Sequence, residues 1–152
     1  MTSKVKLYPG TYKNYSEDIY KAIRNETFGE DIGQNSWLTA DEYREIFSLL
    51  GLTGKSEILE IASGSGGPAV FMVKETGCHL TGLEYDKNGV DNSLKLAEAN
   101  RLTGQTKFLH GDASEPLPFE DNSFDAVFTI DAINHLKNRD TVLKEFYCVL
   151  KP

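Results

Sequence analysis

Apolar residues in the first fifty positions recur at helical spacing. Ile19, Ala22 and Ile23 share one face, and Tyr43, Ile46, Phe47 and Leu50 follow the i, i+3, i+4, i+7 rule, which predicts two helices. Thr39, with Glu42 three residues on, spells a capping box that starts the second. Between them "FGEDIGQNSW", residues 28–37, is too polar and glycine-bearing for either element and reads as a loop carrying one large aromatic, Trp37. Beyond Gly51 and Gly54 the period alternates. Strand-like runs at 58–62, 79–84, 106–110 and 124–130 are interleaved with helical runs at 68–76, 89–100 and 139–150. Pro68 suits the first turn of a helix, where its missing N–H costs nothing. Such alternation predicts parallel strands joined by right-handed crossovers, an α/β doubly wound sheet of about four strands. A helical segment over 1–54 precedes a core over 55–152, within one domain.

Composition narrows the function classes. A net charge of −7 on 152 residues argues against a broad nucleic-acid surface. No apolar run approaches the roughly 20 residues of a membrane span. Lys4 and Lys6 are followed by Tyr8 and Pro9 rather than an apolar stretch, so no signal peptide is expected. Cys78 and Cys148 have neither short spacing nor companions, which leaves no support for a zinc site or disulfide framework and predicts a reducing, cytoplasmic setting. A small-molecule partner is the better expectation.

In doubly wound sheets, ligands bind beyond the carboxyl ends of the strands, where strand order reverses. The first strand runs into Glu60-Ile61-Ala62-Ser63-Gly64-Ser65-Gly66-Gly67, the second ends in Glu84-Tyr85-Asp86, the third in Gly111-Asp112-Ala113 and the fourth in Ile130-Asp131-Ala132. The glycine turn gives backbone clearance to a ligand, and "GSGGPA" also fits the dinucleotide spelling GxGxxA, so an NAD-dependent oxidoreductase must be weighed. Glu84 follows the turn at close to the roughly 20-residue offset from which an acid reaches both ribose hydroxyls. Glu60, close to the turn, would repel a pyrophosphate but favour a cation. Asp112 adds an acceptor suited to an exocyclic amino group. Together these residues suit a nucleoside that carries positive charge instead of phosphates.

With "ILEIASGSGG", "LTGLEYD", "FLHGDASEPLPFEDNSFDAVF" and "VLKP" in order over 56–152, the chain resembles the class I S-adenosylmethionine-dependent methyltransferases. The resemblance implies a Rossmann-like core, S-adenosyl-L-methionine as cofactor and S-adenosyl-L-homocysteine as product. It implies that Glu60, Ala62, Ser63, Gly64 and Gly66 lie along the methionine portion, with Glu60 on the ammonium side. Glu84 would bind the ribose, Tyr85 would pack beside the adenine, Asp112 and the Ala113 N–H would meet its edge, and Ile130 would line the transfer site. In the family the amino-terminal segment folds over the cofactor as a lid, here carrying Tyr15, Gln34 and Trp37. Ala62 stands at a position usually glycine and is expected to be tolerable only at negative φ. The family sheet continues past "LKP" into further strands, so the fourth strand is expected to be an edge covered by another chain or copy or by the chain's own helices, as in a fragment, a truncated form or a partner-completed fold without turnover.

Methyl transfer needs alignment and water exclusion, and a base only when the acceptor must lose a proton. Asp131 and His135 are the candidates for that catalytic role. His79 and His110 alternate within strands and read as structural; Tyr12 and Tyr15 read as packing. "FGEDIGQNSWLTADEY" resembles the segment near the lid in N-methyltransferases of small molecules, which points to an amine acceptor.

Overall fold

The computed structural model describes residues 9–152; the reading made at Lys4, Lys6 and Tyr8 lies outside them. Among the described residues, six helices and four strands follow in the order α1 (Pro9–Lys13), α2 (Asp18–Phe28), α3 (Ala40–Leu49), β1 (Glu57–Ile61), α4 (Gly67–Thr76), β2 (His79–Glu84), α5 (Lys87–Ala99), β3 (Thr106–His110), β4 (Ala126–Phe128) and α6 (Arg139–Val149), with a 3-10 turn at Ile133–His135. The sheet is wholly parallel in the order β3-β2-β1-β4. The chain therefore builds outward from β1 through β2 and β3, then returns to add β4 on the other side of β1. That reversal puts a switch point between the carboxyl ends of β1 and β4.

Side-chain alternation divides the core. Ile58, Leu80 and Phe108 face one layer with Tyr43 and Phe47 of α3, Ala69 to Val73 of α4, and Val90 and Ala97 of α5. Leu59, Ile61 and Leu83 face the other with Val142, Phe146 and Val149 of α6, together with Ala113, Leu117 and Phe124. Strands buried on both faces need near-continuous apolar sequence, which "EILEI" supplies except at its acids. Among the described residues, no helix is long and apolar enough to cross a membrane.

The expected elements recur with three differences. β4 spans only Ala126–Phe128 rather than the seven residues expected. At its start the Asp125 carboxylate is taken by the Glu57 N–H and Lys151, and past its end Asp131 turns the chain with φ 52°. The capping box at Thr39 and Glu42 forms on both sides as predicted. The apolar face expected of α2 does not turn inward, however: Ile19 and Ile23 are 61% and 50% exposed, and the buried residue of that helix is Arg24. The reason is electrostatic. Arg24 makes a two-pronged ion pair with Asp31 (2.6 and 3.2 Å), and its guanidinium lies 4.9 Å from the Tyr15 ring, so the polar face docks. Finally, Tyr12 belongs to a short helix of its own, α1, which is tied to α5 by Asn92 donating to the Tyr12 carbonyl at 2.7 Å.

Candidate functional site

β1 delivers Glu60 to the switch point. Its strand neighbours are Gly82 on β2, over which Ser63 Oγ and the Phe108 ring lie, and Phe128 on β4. Glu60 is 4% exposed, and its Oε2 has no hydrogen-bond partner among the described residues. Burial, reinforced by the nearby Glu84 carboxylate, pushes the Glu60 carboxyl up to about 8. Burial of the Tyr43 phenol, with Glu60 the next cause, raises that group as well.

Glu84 projects from the same face of the sheet, one pleat further along β2. It is buried, and its two oxygens are divided between backbone donors: the Gly64 N–H at 2.9 Å and the Asp86 N–H at 2.7 Å. Burial raises its carboxyl from the ordinary value, and the two N–H donors act against that rise. An acid so placed presents its outer lone pairs toward the strand ends while its position is fixed by the glycine turn.

That turn uses left-handed backbone at three places: Ala62 (φ 58°), Gly64 (φ 59°) and Gly66 (φ 76°). The expectation that Ala62 would hold a negative φ is corrected. The turn keeps the geometry a glycine would adopt, and the methyl group is carried at a strain on the order of 1–2 kcal/mol. Gly66 is a steric necessity, since a Cβ there would lie 2.6 Å from Ser93 Oγ. Gly64 is more open: a Cβ would meet the Tyr12 hydroxyl at 3.5 Å and the Asn35 amide at 3.7 Å. The amino-terminal segment thus lies directly over the turn.

Three buried side-chain atoms lack a hydrogen-bond partner among the described residues: Glu60 Oε2, Ser63 Oγ and Thr129 Oγ1. All lie at, or just past, the carboxyl ends of β1 and β4. Buried polar groups are almost always partnered, so Glu60 Oε2 and Ser63 Oγ, both at the carboxyl end of β1, are the atoms that a polar ligand there would satisfy. Ser63 was among the expected contacts. Thr129, Asn35 and Asn92 were not; Thr129 is an isolated hydroxyl ending an apolar strand, the pattern that could have drawn notice.

The remaining expected residues divide. Tyr85 is exposed beyond β2, with its ring 6.5 Å from that of His110, whose Nε2 is 2.8 Å from the Tyr85 carbonyl. Asp112 is half-buried and accepts from the Ser114 N–H at 2.8 Å, and Ala113 is buried beside it. Ile130 packs at the edge of the α3–α4–α5 layer. Gln34 is buried but spends its amide inside its own loop, accepting from the Ile32 N–H and donating to the Glu30 carbonyl. Tyr15 is buried too, donating to the Gly33 carbonyl at 3.1 Å, and burial pushes its phenol up to about 12. His135 lies exposed on the 3-10 turn. Trp37 is 82% exposed, lining a cavity of about 150 Å³ with Phe28, Gln34, Asn35 and Ser36. The Asp131 carboxylate accepts the Trp37 backbone N–H at 2.8 Å. No cluster of three or more His, Cys, Asp or Glu that could hold a metal occurs among the described residues.

Comparison with known proteins agrees with this geometry. The methyltransferase domain family matches residues 59–152. The chain is 34% identical over 148 residues to a sterol 24-C-methyltransferase of Neurospora crassa, an alignment covering 93% of this chain and 38% of that protein. Several curated relatives are matched over the same 38% of their length. Among solved structures, a putative S-adenosylmethionine-dependent methyltransferase of Methanococcus maripaludis superposes with a TM-score of 0.75 at 21% identity, over 99% of this chain and 63% of that one. Phosphoethanolamine N-methyltransferase 2 of Haemonchus contortus, in complex with phosphomonomethylethanolamine and S-adenosylhomocysteine, gives 0.74 at 25% identity, over 93% and 33%. A parallel sheet with its switch point at Glu60, a glycine turn closed by Glu84 and a matching domain over most of the core lead to one assignment: the chain belongs to the class I S-adenosylmethionine-dependent methyltransferase family.

Proposed function

We propose that the chain binds S-adenosylmethionine at the carboxyl ends of β1, β2 and β3 and passes its methyl group to a lipophilic small molecule of the sterol class. The observation that carries the first half is Glu60, a buried acid with an unpartnered oxygen and a second buried acid nearby, an arrangement that a cationic ligand relieves. The same pair disfavours an NAD pyrophosphate. When bound, the cofactor supplies a methyl group activated by its sulfonium. The chain's own residues bind and orient. Glu60 would face the ammonium side, Ser63, Gly64 and Gly66 would give hydroxyl and backbone contacts, and Glu84 would take the ribose hydroxyls. Tyr85, Asp112 and the Ala113 N–H would meet the adenine, while Tyr12 and Asn35 would exclude water from above the turn.

For the acceptor, support comes from the sterol 24-C-methyltransferase relatives, and from two apolar features of the chain: Phe28 and Trp37 line one cavity, and Phe128 stands beside Glu60 on β4. Methylation at carbon or nitrogen releases one proton, and His135 past β4 is the group suited to accept it. A small amine is the second reading, favoured by the likeness to the Haemonchus enzyme. A cytoplasmic setting, and coverage of the outer side of β4 by another chain or copy, complete the proposal.

Titration calorimetry with S-adenosylhomocysteine and with NAD tests the cofactor. Transfer of labelled methyl to a panel holding a sterol, phosphoethanolamine, sarcosine and a phenol tests the acceptor. Labelled sterol is the expected product; label on the amines alone would move the assignment to the second reading, and NAD binding without S-adenosylhomocysteine binding would end both.

A further inference from the structure

Asp131, expected as a catalytic group, makes a backbone contact across the fold. It holds φ 52°, left-handed backbone that a non-glycine residue adopts only under constraint, though Asp tolerates it better than most. In that conformation its Oδ2 reaches across 94 residues of sequence to the Trp37 backbone N–H at 2.8 Å. The rest of the Trp37 loop is anchored from its other end, through Arg24–Asp31, Tyr15–Gly33 and the inward-turned Gln34. On the β4 side, this bond links the loop to the carboxyl end of the sheet. Trp37 itself, 82% exposed, has its backbone fixed and its indole free of burial.

We propose that Asp131 is a latch: a positioning residue that pins the Trp37 backbone to the end of β4 and so sets where the indole stands at the acceptor side of the switch point. The pinning is a statement about this fold alone; its bearing on acceptor binding rests on the methyltransferase reading above. The latch needs a carbonyl-type oxygen, not a proton acceptor. Asparagine supplies one and also tolerates positive φ, whereas glycine relieves the backbone and removes the oxygen.

Trp37 is the single tryptophan of the chain, so its fluorescence reports on this loop without labelling. The test compares wild type with Asp131→Asn, Asp131→Gly and Asp131→Ala by amide hydrogen exchange at Trp37 and by time-resolved anisotropy of the indole. Loss of the oxygen is expected to speed exchange of the Trp37 amide about tenfold or more, a modest return for a hydrogen bond to a charged group, and to enlarge the fast depolarising component. Asp131→Asn restores both to within about twofold of wild type. In an activity assay the Gly variant raises the acceptor KM more than it lowers kcat, and affinity for S-adenosylhomocysteine stays as it was. Unchanged exchange and anisotropy in Asp131→Gly and Asp131→Ala would overturn the latch. So would an Asp131→Asn protein that keeps the amide protected yet loses turnover, because that result identifies a proton acceptor. If wild type transfers no methyl group, the spectroscopic arms still decide the latch, and only the functional reading falls.

Discussion

The two flanks of the switch point are built by opposite means. On the β1–β2 flank the turn and its acid are buried and held at several points: Glu84 is fixed by two backbone donors, Gly66 is pressed on Ser93, and Asn92 ties α5 to both Tyr12 and Ser65. On the β4 flank the strand is three residues long, Asp131 and His135 are exposed, and the Asp131 carboxylate joins the Trp37 loop to it. A rigid half suits a ligand that never changes, and a lightly tethered half suits an acceptor that differs from relative to relative. The glycine turn and the two buried acids of the family pattern fall on the first flank.

If this contrast holds, damage to the rigid flank must be large. Glu84→Ala is expected to reduce affinity for S-adenosylhomocysteine by about 2–4 kcal/mol, roughly thirty- to a thousandfold, through loss of hydrogen bonds to a charged group; calorimetry showing less than a threefold change would place the ribose elsewhere. Gly67→Ala should destabilise the fold by about 2–3 kcal/mol, because the added methyl runs into the Ile32 and Gly33 carbonyls, and a chemical-denaturation midpoint measures it. Glu60 makes a pH-dependent prediction. Its carboxyl is raised from 4.5 in its ordinary state to about 8 when folded. The stability it contributes is therefore whole below about pH 4.5 and is lost as pH climbs to about 8, at up to about 1.4 kcal/mol per pH unit. Glu60→Gln should flatten that slope in the ligand-free chain, and identical urea midpoints for both proteins across the window would show that the acid is solvated. The smallest effect is expected at Ala62→Gly, a gain of about 0.5–1 kcal/mol as relief of left-handed strain outweighs glycine's added chain entropy.

Most of the rigid flank was legible in the sequence, because strand alternation places Glu60, Glu84 and Asp112 at successive strand ends and steric rules call for glycine in the turn. Ala62 misled because residue type was taken to decide φ, whereas the Ala62 and Ser63 N–H groups both donate to the Leu83 carbonyl of β2 with Ala62 in left-handed backbone. The face of α2 misled for a different reason. Helical periodicity finds apolar stripes, and an Arg–Asp pair that buries the opposite face leaves no periodic signal. The Asp131–Trp37 bond was out of reach: two residues 94 apart are joined only once β4 has returned beside β1.

The contact between the loop and the start of α4 has a practical consequence. Gly67 lies with its α-carbon against the Gly33 backbone, so a side chain at either position has nowhere to go. Two bare stretches of main chain mated in this way behave as a matched fitting between modules. Anyone recombining this core with the amino-terminal segment of another family member would have to keep residue 67 bare and bring a loop whose carbonyls seat on it, and to carry Gly33 together with Tyr15, whose hydroxyl fills the space a side chain at 33 would need.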